Sequence, residues 1–206
     1  MRLLYSAGSP FARIVRIALL ETGLDGRVTK QELTRARLYS AGSEVLAFSP
    51  VGRVPTLELD DGTILTESKL ILDYIDACNP GPKLLPRDGS DGWRTLAETG
   101  QASGLLEGIV TWLRASGSPE SGYASTLIVR ETTRVNRVAD ALEVAVANGA
   151  YAGPMNAAQI VLGTALGLVE PRLPVWKWRE GRVSLSAWYD TIALRPSFQS
   201  TLPPPP

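Results

Sequence analysis

The chain has 206 residues, with 21 Lys and Arg against 21 Asp and Glu, a formal net charge of +0 and 44% hydrophobic residues. It lacks the basic excess of a nucleic-acid binder, and no apolar run approaches the roughly 20 residues of a membrane span, so neither partner is expected. A single cysteine and no histidine exclude an internal disulfide, a His-based catalytic triad and a His-ligated metal site. The N-terminus also lacks the zones of a signal peptide, which favours a cytoplasmic protein.

Short strands and helices alternate in the first 78 residues. Ser9-Pro10 supplies an N-cap and a first helical residue, and apolar residues at helical spacing follow as far as Gly23. The other predicted elements are a strand at 2–5, a weak strand at 27–33, a polar loop at 34–42, a short helix at 43–48, strands at 56–59 and 63–65, and a helix from 66. This order predicts an α/β domain in which helices cross between the early strands and a hairpin closes the sheet.

The stretch between residues 53 and 68 carries the strongest local signals. Pro55 begins an alternating strand but has no N–H to donate, and a cis Val54–Pro55 bond would turn the Val54 N–H and C=O outward as a free edge. Glu67 and Ser68 stand at a helix start, where free N–H groups and a partial positive charge attract a carboxylate. A strand edge close to a helix N-terminus predicts a binding site for a short peptide that carries a carboxylate.

These segments resemble a known family. Gly-Arg-Val-Pro-Thr-Leu at 52–57 and Asp-Gly-Thr-Ile-Leu-Thr-Glu-Ser at 61–68 are similar to the N-terminal half of bacterial glutathione transferases. Ser-Pro-Phe-Ala-Arg at 9–13 is similar to the first helix of the small bacterial members. The resemblance implies a thioredoxin-like N-terminal domain, an all-α C-terminal domain, glutathione as co-substrate without a metal, and a homodimer.

The resemblance also implies roles for single residues. The residue before the cis proline, Val54, pairs with the cysteinyl backbone of glutathione, and the Glu67-Ser68 pair holds the γ-glutamyl carboxylate. The rest of the implied glutathione-binding set is Phe11, Arg53 and Pro55. Arg35 and Arg37 either bind the glycyl carboxylate or are solvated loop charges.

The implied chemistry needs glutathione as its thiolate, because the thiolate is the nucleophile. A free thiol has a pKa near 8.5, and lowering it by about two units requires roughly 2.7 kcal/mol of preferential stabilisation. Ser9 suits that role, since an N-cap hydroxyl beside the free N–H groups of a helix start favours an anion. The resemblance assigns the thiolate to Ser9, with Ser6 and then Tyr5 as alternatives. Arg13, one turn on, adds positive charge of undefined direction.

A linker and a helical half follow. Pro and Gly are dense over 79–90, which predicts a boundary between a domain at 1–78 and a helical domain at 91–206. Asn156 and Gln159 predict a capping box before a helix that is apolar on nearly all sides over 160–168, which is therefore expected to be the buried centre of the helical domain. Glycines recur every fourth residue in the first long helix and leave one face bare: Gly100, Gly104 and Gly108. This bare face favours either close packing against another helix or room for a ligand.

The leading prediction is an enzyme, a glutathione transferase that conjugates the thiolate to a small apolar electrophile held by the helical domain. Two alternatives remain open: a non-catalytic binding protein of the same fold, and a glutathione-dependent isomerase, peroxidase or ether-cleaving enzyme. Ser103 motivates the first alternative, because bacterial relatives often carry Asp there to reach the γ-glutamyl amine, and Ser brings no charge.

Overall fold

The computed structural model describes residues 1–117 and 122–205, which divide into two compact units. Unit 1 comprises Met1–Leu85 and Pro196–Pro205, and unit 2 comprises Pro86–Arg195.

The division falls inside the predicted linker at 79–90. The predicted helical domain extended to residue 206, whereas the segment from Pro196 is grouped with unit 1. Residues 118–121 and 206 of that predicted domain lie outside the described residues.

Unit 1 is built on a four-stranded mixed sheet. Its elements up to residue 78 are β1 (Arg2–Tyr5), α1 (Pro10–Glu21), β2 (Thr29–Glu32), α2 (Arg35–Leu38), α3 (Glu44–Phe48), β3 (Thr56–Glu58), β4 (Ile64–Thr66) and α4 (Ser68–Cys78). Across the described residues the strand order is β2-β1-β3-β4, with β1 and β2 parallel and the other two pairs antiparallel. This confirms the predicted thioredoxin-like α/β arrangement.

The polar segment at 34–42 was predicted as a loop but contains the one-turn helix α2. Thr34 caps it, because its side chain accepts a hydrogen bond from the Arg37 N–H at 3.3 Å. Glu44, in the next helix, forms an ion pair with Arg37 and accepts a hydrogen bond from Gln31. A polar turn is therefore helical here because its side chains supply both the cap and the cross-link to the following helix.

Leu4 anchors the apolar core on one face of the sheet. It is fully buried together with Leu33 and Val45, and three half-buried side chains pack against this cluster: Leu38, Phe48 and Val54. Leu3 points to the opposite face and is also fully buried, and helices α1 and α4 pack against each other. Val54, two residues before β3, is thus packed against the interior of unit 1.

Unit 2 is helical throughout its secondary structure. Its helices are α5 (Gly89–Ser116), α6 (Gly122–Ala147), α7 (Ala157–Arg172) and α8 (Val183–Ala193). Every residue from 157 to 169 in α7 is buried, which confirms the predicted apolar centre. No helix in the described ranges is both long and apolar enough to cross a membrane.

The glycine face of α5 is divided between packing and open surface. A Cβ at Gly108 would lie 2.7 Å from the Cγ1 atom of Val135, so this glycine allows α5 and α6 to approach closely. A Cβ at Gly100 or Gly104 would meet no described atom within 4 Å. The close-packing interpretation therefore holds for Gly108 alone of the three.

The predicted capping box at the start of α7 is present in full. Gln159 N–H donates to Asn156 Oδ1 at 3.1 Å, and Asn156 N–H donates to Gln159 Oε1 at 3.0 Å. Gln159 also donates through Nε2 to the carbonyl oxygen of Tyr151 at 2.8 Å, and Trp188 Nε1 donates to the same oxygen at 2.9 Å. Tyr151 has a φ of 59°, so these two donors hold a non-glycine residue in the left-handed region.

After α8, a final short helix, α9 (Pro196–Gln199), lies in the C-terminal segment of unit 1. Helix α1 contacts it.

Candidate functional site

Three of the predicted site segments meet at one end of the sheet in unit 1. Leu4 of β1 pairs with Thr56 of β3, and Thr56 pairs in turn with Thr66 of β4. Ser6, Val54 and Ser68 each lie two residues beyond these paired positions, towards the same end of the sheet. The end of β1, the start of β3 and the start of α4 therefore border the same short stretch of surface.

Val54 provides an unpaired backbone edge at the centre of this surface. The Val54–Pro55 peptide bond is cis, as the sequence predicts. Neither the N–H nor the C=O of Val54 forms a hydrogen bond with another residue in the described part of the chain. Its side chain packs on the core cluster, Pro55 behind it is buried, and the preceding turn is closed by Thr56 Oγ1 donating to the Arg53 carbonyl oxygen at 2.7 Å.

Glu67 and Ser68 form the start of α4. Glu67 is the N-cap, with φ 73° and ψ 121°, and its exposed carboxylate does not cap the helix. A non-glycine residue at positive φ stores roughly 1–3 kcal/mol and is found most often where function requires it. The helix ladder begins with the Leu70 and Ile71 N–H groups, which both donate to the Glu67 carbonyl oxygen at 3.1 Å. Ser68 N–H precedes that ladder, and the residue is 6% exposed, so its amide and hydroxyl lie nearly buried at the positive end of the helix.

Ser9 stands at the start of α1 with its hydroxyl proton available. The Ala12 N–H donates to Ser9 Oγ at 3.3 Å, and the Ser9 N–H donates to the Ser6 carbonyl oxygen at 2.9 Å. A hydroxyl has one proton and two lone pairs, so accepting from Ala12 leaves the O–H free to donate to a bound anion. Phe11, in the first turn, is half-buried and presents part of its ring to solvent.

Of the two alternatives to Ser9, Tyr5 is poorly disposed to stabilise a thiolate. Tyr5 O–H donates to Glu32 Oε2 at 3.2 Å. Burial and the Glu32 carboxylate raise the pKa of Tyr5 and outweigh the opposing charge of Arg16, so its proton is committed to a carboxylate. Ser6 contributes its backbone oxygen to the Ser9 turn, and no hydrogen bond of its hydroxyl is present within residues 1–117 and 122–205.

The three arginines considered for glutathione binding, Arg35 and Arg37 for the glycyl carboxylate and Arg53 in the implied binding set, differ in their surroundings. Arg37 forms the ion pair with Glu44 described above. Arg35 lies with its guanidinium carbon 5.8 Å from the centroid of the Tyr39 ring and is exposed. Arg53 is also exposed. Arg35 follows the end of β2, which runs parallel to β1, so it lies at the same end of the sheet as Val54.

Arg13 has a contact that only the structure shows. It is 4% exposed, and its guanidinium reaches the C-terminal segment of unit 1. This contact could not be read from local spacing, because no short-range pattern marks it. Ser103, in unit 2, is 6% exposed on α5. No group of three or more potential metal ligands occurs in the described ranges of the chain.

Comparisons with known proteins agree on one family. The family model for the glutathione S-transferase N-terminal domain matches residues 8–78. The GST-like protein YibF of Escherichia coli (strain K12) is 29% identical over 205 residues, 99% of each chain. Glutathione S-transferase GstA of Escherichia coli O157:H7 is 31% identical over 144 residues, 69% of this chain and 70% of the relative. A glutathione transferase family member from Pseudomonas fluorescens Pf-5, solved with bound glutathione, is 32% identical over 98% of both chains, with a TM-score of 0.86.

Proposed function

The chain belongs to the glutathione S-transferase family, and from that premise we propose that it is an enzyme that conjugates the thiolate of glutathione to a small apolar electrophile. The observation that carries the proposal is the common location of the Val54 backbone edge, the start of α4 and the start of α1 at one end of the sheet. Each offers a group that matches one part of a tripeptide thiol.

Glutathione is held, in this proposal, by backbone and helix-terminus groups more than by charged side chains. The Val54 N–H and C=O pair with the cysteinyl residue as one more strand would. Ser68 N–H and its hydroxyl bind the γ-glutamyl carboxylate at the positive end of α4, and the exposed Glu67 carboxylate faces the ammonium of the same residue. Arg35 and Arg53 are the cations left for the glycyl carboxylate, since Arg37 is paired with Glu44.

Ser9 acts on the sulfur. Its O–H donates to the thiolate, and the free N–H groups of the first turn of α1 add a favourable field. Stabilising the thiolate lowers the thiol pKa, so more of the bound glutathione is ionised at neutral pH. The thiolate sulfur then forms a bond to carbon of the electrophile. In a substitution the leaving group departs with its bonding electron pair, and in an addition the other carbon of the double bond takes a proton from water. Neither route forms a covalent bond to the protein.

Two measurements test the proposal together. Titration calorimetry with reduced glutathione tests binding, and a chromogenic halonitrobenzene with a panel of other electrophiles tests turnover. Absence of binding would refute the assignment of the site. Tight binding without turnover across the panel would instead favour the non-catalytic binding protein of the same fold.

Removing the Ser68 hydroxyl is expected to weaken glutathione binding about tenfold, because a hydrogen bond to a carboxylate contributes roughly 1.5–3 kcal/mol and part of it is retained by the amide. Calorimetry on Ser68→Ala measures this. Ser43→Ala is the matched control: Ser43 is also buried in unit 1, but among the described residues its Oγ has no hydrogen-bond partner and caps no helix. Equal affinity of Ser68→Ala and the wild type would remove Ser68 from the binding set.

The proposal includes a homodimer, supported by an exposed apolar surface on α5. Trp93 is 74% exposed, Leu96 lies three residues on, and Gly100 continues the same side with open space above it. An exposed tryptophan beside small residues is typical of interface surfaces. Sedimentation velocity at several protein concentrations tests this, and a single monomeric species at all of them would contradict it.

A further inference from the structure

Arg13 is a buried cation that joins α1 to the far end of the chain. Its Nη2 donates to the Phe198 carbonyl oxygen at 3.1 Å, and its Nε donates to Thr201 Oγ1 at 3.4 Å. The guanidinium carbon lies 5.7 Å from the centroid of the Phe198 ring. Arg13, Phe198 and Thr201 are 4%, 1% and 1% exposed, so these contacts are sequestered from water.

The C-terminal strap, defined as Pro196–Thr201, is itself well anchored. Thr201 Oγ1 donates to the Ser197 carbonyl oxygen at 2.8 Å, which closes the end of α9. Ser197 Oγ donates to Glu21 Oε1 at the other end of α1. The strap therefore holds α1 at two points eight residues apart, and Arg13 is the one next to the start of the helix.

Arg13 is also bonded directly to Ser9 through the backbone. The Arg13 N–H donates to the Ser9 carbonyl oxygen at 3.0 Å, the first hydrogen bond of α1. The neighbouring Ala12 N–H donates to Ser9 Oγ. A movement of the Arg13 backbone is expected to displace Ser9, because two of the three hydrogen bonds that Ser9 forms within the described ranges come from this turn, and the third joins its N–H to Ser6.

We propose that Arg13 is a positioning residue: its guanidinium, fastened to the C-terminal strap, holds the first turn of α1 in the register that aims the Ser9 hydroxyl at the thiolate. The inference rests on the proposed function of Ser9. Nothing in the γ-glutamyl or cysteinyl contacts depends on Arg13, so it affects ionisation and turnover more than the binding of glutathione.

Amide hydrogen exchange of the ligand-free protein tests the tether. In Thr201→Val, which removes the oxygen that Arg13 and Ser197 share, the Ala12 and Arg13 amides are expected to exchange about tenfold faster. Thr22→Val is the control, since Thr22 Oγ1 donates to Ala18 O at the distal end of α1; it should leave those two amides within about twofold of wild type. Equal protection in Thr201→Val and wild type would overturn the inference.

Titration of the bound thiol by its ultraviolet absorbance then tests the role of the tether in the reaction. The variants are Thr201→Val and Arg13→Lys, whose single amine cannot reach both the Phe198 carbonyl oxygen and Thr201 Oγ1. In both, the pKa of the bound glutathione thiol is expected to rise by about one unit and kcat to fall about tenfold. KM for glutathione should stay within about twofold of wild type. A purely structural role would reduce the folded fraction and leave that pKa unchanged, which would refute positioning. Failure of wild-type protein to bind glutathione would count against the proposed function, while the exchange comparison decides the tether independently.

Discussion

Replacing Ser9 with alanine is expected to raise the pKa of the bound glutathione thiol by about two units. At a pH below the thiol pKa of both wild type and variant, kcat/KM for conjugation should then fall about 100-fold. The hydroxyl is the one side-chain donor that the start of α1 offers, and its proton is uncommitted because Oγ accepts from Ala12. A shift of two units corresponds to roughly 2.7 kcal/mol, in the range of one donor to an anion in a site with little water. Thiolate absorbance as a function of pH and steady-state kinetics measure the two effects.

The controls separate catalysis from folding and Ser9 from its rivals. Ser9→Ala also removes an N-cap worth about 1 kcal/mol, so circular dichroism must show that the variant is folded. Ser9→Thr keeps both the hydroxyl and the cap and should retain most activity. Ser6→Ala and Tyr5→Phe should leave the thiol pKa unchanged. An unshifted pKa in Ser9→Ala together with a shift in Ser6→Ala would transfer the role to Ser6.

Replacing Gln159 with leucine is expected to lower the free energy of unfolding of the helical unit by about 3 kcal/mol. Gln159 is 3% exposed, accepts from the Asn156 N–H and donates to the Tyr151 carbonyl oxygen. Losing both bonds costs about 1 kcal/mol each, and leaving their partners without a bond in the interior adds a further penalty of similar size. Tyr151, held at positive φ by this bond and by Trp188, is the residue expected to relax.

Two further variants separate the contribution of the capping box with Asn156 from that of the hydrogen bond to the Tyr151 carbonyl oxygen. Asn156→Ala removes only the cap acceptor and should cost about 1 kcal/mol. Gln159→Glu keeps the acceptor for the Asn156 N–H and adds a negative charge that a helix start favours. It also replaces the amide that donates to the Tyr151 carbonyl oxygen with a carboxylate oxygen, which cannot donate. The free energy of unfolding is therefore expected to fall by about 2 kcal/mol. Greater stability of Gln159→Glu than wild type would contradict this account.

Urea unfolding followed by tryptophan fluorescence measures the unit selectively. All five tryptophans lie in unit 2: Trp93, Trp112, Trp176, Trp178 and Trp188.

Local chemistry predicted much of the site. Val54 and Pro55 indicated the cis bond, and Glu67-Ser68 the helix start, because each depends on residues within a few positions of one another. The same holds for the Ser9-Pro10 start of α1 and for the Asn156–Gln159 box. The segment at 34–42 was missed, since its helix depends on an ion pair with Glu44 that polar composition does not reveal.

The sequence by itself indicated the family and the order of elements apart from α2, and it predicted the residues of the proposed glutathione site, because turns, caps and alternation are local properties of the chain. Only the tertiary structure decided that Arg13 holds a strap 185 residues away, that Tyr5 commits its proton to Glu32, and that Gln159 supports Tyr151. The physical reason is that these hydrogen bonds join groups brought together by strand pairing and helix packing. Such contacts leave no periodic trace in the sequence, so their partners appear only once the chain is folded.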